Sequence, residues 1–167
     1  MKKSKRALLG ALFLILITLG LDQWSKMCIV ENIQLGQRIT IIKDFFWLAY
    51  IQNTGAGFSI FEGYGIVFFS VITIAALAMI LYLYLKNNDI KYDICYALIF
   101  SGAIGNFIDR LVLGYVRDFF SFNLFGWYFP IFNVADICIS VGFVILICLY
   151  AYEDYKEKQR WKQEDMK

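Results

Sequence analysis

Asp118 and Asp136 are the residues best suited to do chemistry in this chain. Each carboxylate stands among apolar and aromatic neighbours, in Gly114-Tyr115-Val116-Arg117-Asp118-Phe119-Phe120 and in Phe132-Asn133-Val134-Ala135-Asp136. Asp118 follows one membrane-length apolar segment and Asp136 opens the next. An ionisable residue at the mouth of a membrane helix is costly to keep there and marks a functional site by default. Two carboxylates brought together by a loop cannot easily both ionise, so they share a proton. The ionised member can take a proton from water as general base, and the protonated member can donate to a peptide carbonyl.

Other chemistries are removed by composition. Histidine is absent from the 167 residues, which excludes Ser-His-Asp and Cys-His catalysis and takes away the commonest zinc ligand. Cys28, Cys95, Cys138 and Cys148 form no C-x-x-C pair and lie among apolar residues, as inert buried thiols do. There is no Gly-rich phosphate loop. The net charge of +2 gives no reason to expect a nucleic-acid partner. No metal and no cofactor is expected.

The elements that must position the two acids are membrane helices. The chain is 60% hydrophobic, above the roughly 45–50% of globular proteins. Apolar stretches at about 7–30, 66–85, 94–113 and 134–152 are long enough to span a bilayer. The expectation is an all-α membrane protein, one polytopic domain over residues 1–167, with outer loops at 31–65 and 114–133. Lys2, Lys3, Lys5 and Arg6 precede the first apolar run as in a secretory signal. No small-x-small cleavage site follows Gly20, so that run reads as a retained helix.

Several polar residues interrupt these spans. Asp22 and Lys26 are four apart on one helix face, a spacing that favours an ion pair. They either fix the helix or serve the site. Gly102, Gly105 and Asn106 sit where small residues let helices approach closely. Asp109-Arg110 most simply makes charge-assisted hydrogen bonds to other helices. Asn133 is a plausible N-cap that places Asp136 third in the last helix, where an acid also suits the helix dipole.

In the first outer loop, 38–42 and 45–51 are rich in β-branched and aromatic residues and read as short strands around a Lys43-Asp44 turn. Asn53-Thr54-Gly55-Ala56-Gly57 permits a tight turn and close backbone approach. Phe58–Tyr64 reads as a short interfacial helix. The second outer loop carries Trp127, Tyr128 and Phe129 as interface anchors. Residues 153–167 read as a charged, frayed tail, and 86–93 as a short polar turn.

Basic residues concentrate in the two tails and the 86–93 turn; the other loops hold only Arg38, Lys43 and Arg117. The positive-inside rule therefore puts both termini in the cytoplasm. Asp22 and Asp109 each lie roughly 22 Å along outward helices, and Asp136 roughly 25 Å above the inner end of the last one. Asp22, Lys26, Asp109, Arg110 and Asp136 should meet at one level near the outer surface, with Asp118 looping back to it.

These motifs, in this order between four spans, resemble lipoprotein signal peptidase, the bacterial membrane aspartyl protease family also called signal peptidase II. The resemblance rests on Asp22 with Lys26, Asn53-Thr54-Gly55-Ala56, Gly105-Asn106-Phe107-Ile108-Asp109-Arg110, Asp118-Phe119 and Phe132-Asn133-Val134-Ala135-Asp136. It implies four transmembrane helices with a small extracytoplasmic β-cradle and a short outer helix or flap. It also implies a multi-pass protein of the bacterial cytoplasmic membrane, with its active site near the extracytoplasmic face. The implied substrate is a prolipoprotein already carrying diacylglycerol, cut just before the lipidated cysteine. The implied catalytic pair is Asp118 and Asp136, supported by Asp22, Lys26, Asn53, Gly55, Asn106, Asp109, Arg110 and Asn133. Partners would be lipid-modified signal peptides and membrane lipids, and the protein a monomer. Gly57 and Arg117 depart from the family pattern; Arg117, where an apolar residue is usual, can lower the pKa of Asp118 or bind lipid phosphate.

Three other readings remain. A Ser-Lys peptidase would use Ser25 or Ser59 with Lys26, although adjacent helical residues such as Ser25 and Lys26 point about 100° apart. A small transporter or channel would line a path with Asp22, Asp109, Arg110 and Asp136. A non-catalytic assembly factor would only hold a signal peptide.

Overall fold

The computed structural model describes residues 3–55 and 65–165. Long uninterrupted apolar runs form its four helices, α1 (Lys5–Asn32), α2 (Gly65–Lys86), α3 (Ile90–Leu113) and α4 (Val134–Glu164). Each is long and apolar enough to cross a membrane. Ser4 caps α1, and Asp89 caps α3 by accepting from Lys91 N, so the turn between α2 and α3 is shorter than the 86–93 expected. α3 ends at Gly114, whose φ of 83° suits a residue without Cβ. The charged stretch expected to be a frayed tail is helical through Glu164, and Asp154 and Lys158 pair there at 2.7 Å. An acid four residues before a lysine supports an exposed helix.

α3 is the central helix. Of its most apolar stretch 44% is buried, against 6% to 11% in the other three. It packs on α1, α2 and α4. Glycines make the close approaches of α3 to α1 and α4 possible: a Cβ on Gly105 would come 2.5 Å from Asp22 Oδ2 of α1, and one on Gly142 of α4 would come 2.7 Å from Ile99. A Cβ on Gly102 would collide with the Ala135 carbonyl. The outer faces stay apolar and exposed, as at Leu9, Phe13, Val71, Val112 and Ile147, which suits lipid contact.

Four antiparallel strands in the order β1-β2-β3-β4 sit at one end of the bundle. β1 (Arg38–Ile42) and β2 (Phe46–Asn53) are the two strands expected, turning at Asp44 with φ 58°. β3 (Val116–Leu124) and β4 (Trp127–Tyr128) fall in a segment expected to be loop. β3 joins β2 with Asp118 opposite Ile51 and Phe122 opposite Phe46. Phe125 and Gly126, with φ 55° and 90°, make the tight β3–β4 turn. The sheet is fixed to the bundle through Ile29 and Ile33 packed with Tyr50 and Phe119. The short helix expected at Phe58–Tyr64 lies outside the described residues, as do Ala56 and Gly57.

Candidate active site

Asp118 is the third residue of β3 and Asp136 the third of α4. Their meeting depends on how the chain returns from β4. Phe119 and Phe120 both donate their backbone N–H to Phe132 O, at 3.0 and 2.8 Å, and Phe132 N donates back to Phe120 O. That bridge lays Asn133 and the start of α4 beside the early residues of β3. Asn133 then caps α4: its Oδ1 accepts from Asp136 N at 3.0 Å, while its own N donates to Asp136 Oδ2 at 3.1 Å. The expected cap and the expected third-position acid are therefore one reciprocal capping box.

The same asparagine binds the other acid. Asn133 Nδ2 donates to Asp118 Oδ1 at 2.6 Å and reaches Asn106 Oδ1 at 3.1 Å. Asn53, at the end of β2, donates to Asp118 Oδ2 at 2.8 Å, and Asn106 donates to Asp136 Oδ1 at 2.8 Å. All four carboxylate oxygens are thus held by asparagine groups or the Asn133 backbone. Asp118 is 3% exposed. Burial first, and then the charge of Asp136, push its carboxyl up to about 7, against the pull of Asn53, Asn133 and Lys26.

Both acids face one cleft of about 420 Å³. Asn53, Asn106, Arg110 and Ser140 are its other polar walls, and residues such as Phe129, Ile131, Phe132, Ile137 and Ile139 make most of the rest apolar. Arg110 donates to Gly55 O at 2.8 Å and stacks its guanidinium 5.0 Å over the Phe69 ring of α2. Gly55 N in turn donates to Asn53 Oδ1 at 2.9 Å. The expectation that Arg110 bonds other helices is corrected: among the described residues its hydrogen bonds go to Gly55 O of the Asn53-Thr54-Gly55 turn and to Asn106 O of its own helix.

Asp22, Lys26 and Asp109 lie behind the cleft, each at most 1% exposed. Lys26 Nζ donates to Asp22 Oδ2 at 2.8 Å and to Asn106 Oδ1 at 3.0 Å, and lies 3.4 Å from Asp109 Oδ2. Asp22 Oδ1 accepts from Ala135 N at 2.9 Å, which ties α1 to the first turn of α4. A buried ion survives only when paired and hydrogen-bonded throughout, and this lysine is. Its full engagement also leaves nothing for Ser-Lys catalysis; Ser25 Oγ donates to Asp22 O of its own helix. Ser59 lies outside the described residues.

One contributor, Gln23, escaped the sequence reading, and another, Arg117, has a different partner from the Asp118 expected for it. Gln23 donates to Gly105 O at 3.1 Å and to Asp109 Oδ1 at 3.2 Å. Its signal was its place three residues before Lys26, on the same helix face. Arg117 does not face Asp118, since neighbours on a strand point to opposite sides. Its guanidinium reaches Asp109 Oδ1 at 2.7 Å and Oδ2 at 3.1 Å, and Gln23 Oε1 at 3.0 Å. Burial lowers the Arg117 pKa, but the bonds and charge of Asp109 outweigh it and leave the cation above its ordinary value.

Known proteins are similar to this chain over most of its length. Residues 14–152 match the family described as Signal peptidase (SPase) II. A lipoprotein signal peptidase of Enterococcus faecalis is 44% identical over 144 residues, covering 85% of this chain and 86% of the relative. One from Clostridium tetani is 40% identical over 151 residues, covering 88% and 97%. Two solved structures, each described as a bacterial membrane enzyme, superpose with TM-scores of 0.83 and 0.79 at 30% and 31% identity. The first covers 92% of both chains, the second 89% of this chain and 95% of its own. With the match running from the first membrane helix to the last, the chain belongs to the signal peptidase II family, a family of membrane proteases.

Proposed function

We propose that the chain is an aspartyl endopeptidase that removes signal peptides from diacylglyceryl-modified prolipoproteins, cutting just before the lipidated cysteine. The observation that carries this reading is the pair Asp118 and Asp136 on one cleft, both bonded to Asn133. The relatives named lipoprotein signal peptidase supply the substrate class.

Charge balance supports a single shared proton. Asp22 and Asp109 are offset by Lys26 and Arg117. Arg110, on the cleft wall, is left opposite the dyad, so a dyad with one negative charge closes the balance. In that state the ionised carboxylate takes a proton from water while the water oxygen bonds to the scissile carbonyl carbon. The protonated carboxyl gives its proton to the carbonyl oxygen, and a neutral gem-diol forms. On collapse the C–N bond breaks. The amine of the cysteine takes the proton held by the base, and the diol returns one to its partner, restoring the dyad. The amide donors of Asn53, Asn106 and Asn133 hold both carboxyls without supplying protons of their own.

The distribution of basic residues supports a reading in which both termini are cytoplasmic and the cleft lies near the extracytoplasmic face of the cytoplasmic membrane. There a substrate with a membrane-embedded signal helix and lipid chains can present its cleavage site. The apolar cleft walls suit such a segment, and the enzyme acts as a monomer. The test is turnover of a lipidated lipobox peptide in detergent or proteoliposomes by Asp118→Asn, Asp136→Asn and the double variant. Each single variant should fold and lose nearly all cleavage, and the double should be hardly worse, because groups acting as a unit are non-additive. Substantial cleavage by folded Asp136→Asn would reduce Asp136 to a helix cap and end the aspartyl reading.

A further inference from the structure

Residue 117 is held on every side. Its backbone N donates to Asp109 Oδ2 at 3.0 Å, and its carbonyl accepts from Asn133 Nδ2 at 3.4 Å. Its side chain makes the two-pronged bridge to Asp109 and the bond to Gln23. Asp109 is 0% exposed and shares its Oδ2 with Lys26 of α1. A planar guanidinium matched to a buried carboxylate fixes direction as well as distance, which a lysine cannot do. The bridge therefore fastens the start of β3 to α1 and α3, one residue before Asp118.

The start of β3 is also paired with β2, Val116 opposite Asn53 and Arg117 opposite Gln52, but that pairing does not tie it to α1 and α3. The β2–β3 register shifts between Leu48 and Ile51, next to where Asp118 pairs with Ile51. A bulge loosens and re-aims a strand locally. Farther along, the strand is fastened at Phe119 and Phe120 by Phe132 O. Asp118 thus lies between two anchors, and Arg117 is the side chain of the first.

We propose that Arg117 is a positioning residue for the reaction, its grip on Asp109 and Gln23 holding the Asp118 carboxyl in register with Asp136. This rests on the aspartyl reading above. Arg117 touches neither the cleft nor the reacting atoms; it acts through the backbone of β3. Freed of it, Asp118 moves outward into better hydration and away from Asp136. The charged and titratable groups around Asp118 are then Lys26 from α1, Asp109 and Arg110 from α3, and Asp136 from α4. Gain of water and loss of the Asp136 field both favour the ionised carboxyl, so the alkaline limb of the pH profile moves to lower pH.

The experiment compares Arg117→Met and Arg117→Lys with the wild-type chain in micelles, using a lipidated lipobox peptide, and measures kcat and KM per folded molecule across pH. Arg117→Met should lower kcat about ten- to a hundredfold, the cost of a small misplacement at a reacting group, with KM within about threefold. The alkaline limb should move down by about half a unit or more. Arg117→Lys keeps the charge without the fork and should recover only part of kcat. A loss of fold alone would reduce the number of active molecules without moving that limb, so an unchanged kcat per folded molecule, or an unshifted limb, would overturn the proposal. If Arg117→Met does not fold, Arg117→Lys decides: reduced kcat with a shifted limb supports the role, wild-type kcat rejects it. Asp118→Asn separates this from the parent reading. If it is inactive while both Arg117 variants work normally, only the positioning role falls; if it is active, the dyad falls and the role with it.

Discussion

Asn133 joins the two acids, and its replacement shows how far the cap and the site can be separated. It is 0% exposed. Asn133→Ala removes the Oδ1 that accepts from Asp136 N at 3.0 Å and the Nδ2 that donates to Asp118 at 2.6 Å. Loss of an N-cap costs about 1 kcal/mol. A buried hydrogen bond to a charged group is worth about 1.5–3 kcal/mol, so the total is about 3 kcal/mol. The reciprocal bond from Asn133 N to Asp136 Oδ2 uses the backbone and survives. Asn133→Asp keeps a good cap acceptor but turns the donor into a carboxylate facing Asp118. It should therefore lose less of the helix-cap contribution than Asn133→Ala, yet lose cleavage at neutral pH. Asn133→Ala should cleave about ten- to a hundredfold more slowly, since Asp118 keeps only the Asn53 amide to orient it. Stability is read by an unfolding titration in mixed micelles, followed by thiol labelling of the buried Cys95 and Cys138. Cleavage is read on a lipidated peptide. Near-wild-type cleavage by Asn133→Asp, or a loss under about 1 kcal/mol in Asn133→Ala, would show that Asn133 does not hold the pair together.

The raised Asp118 pKa sets a pH dependence with a definite sign. A carboxyl at about 7 when folded and about 3.9 when unfolded adds stability that is fully present below the lower value and is lost as pH rises through the upper one. Asp118→Asn should flatten the stability profile between those limits, and an unchanged slope would refute the shift. Wild-type cleavage should also fall on the alkaline side of about pH 7 if Asp118 carries the shared proton, as a rate profile on the lipidated peptide would reveal. Gly105→Ala would place a Cβ 2.5 Å from Asp22 Oδ2 and should cost about 1–3 kcal/mol. Gly10→Ala has nothing within 4 Å and should be neutral or slightly stabilising in the same unfolding titration. For orientation, cysteines placed at Asn88 and Asn123 in a background without the four natural ones should label from inside and outside respectively; the reverse pattern would invert the assigned topology.

Apolar run length was enough to locate the four helices, because a membrane-length helix satisfies its own backbone and needs no partner to be recognised. Local chemistry was also enough for Asn133 and Asp136, since a capping box spans only four residues. The Asp22–Lys26 pair follows from helical spacing in the same way. The coincidence of Asp22, Asp109 and Asp136 at one level follows from counting rise per residue along antiparallel helices. Their meeting is visible where Ala135 N donates to Asp22, Lys26 lies between Asp22 and Asp109, and Asn106 bridges Lys26 to Asp136.

What the sequence left open is which way each side chain in the second outer loop turns. Val116–Leu124 lacks clean alternation, so it read as part of an outer loop and its strand character was not visible. It becomes a strand only by pairing with β2, more than sixty positions away in the chain, as where Asn53 faces Val116. That pairing settles the side-chain directions, because the period of a strand is two and a slip of one residue exchanges its faces. In the register formed, Asp118 points to the cleft and Arg117 to Asp109. The tertiary structure thus decided that Arg117 closes the buried ion network and leaves the Asp118 carboxyl to the cleft, which adjacency in the sequence had suggested it would perturb directly.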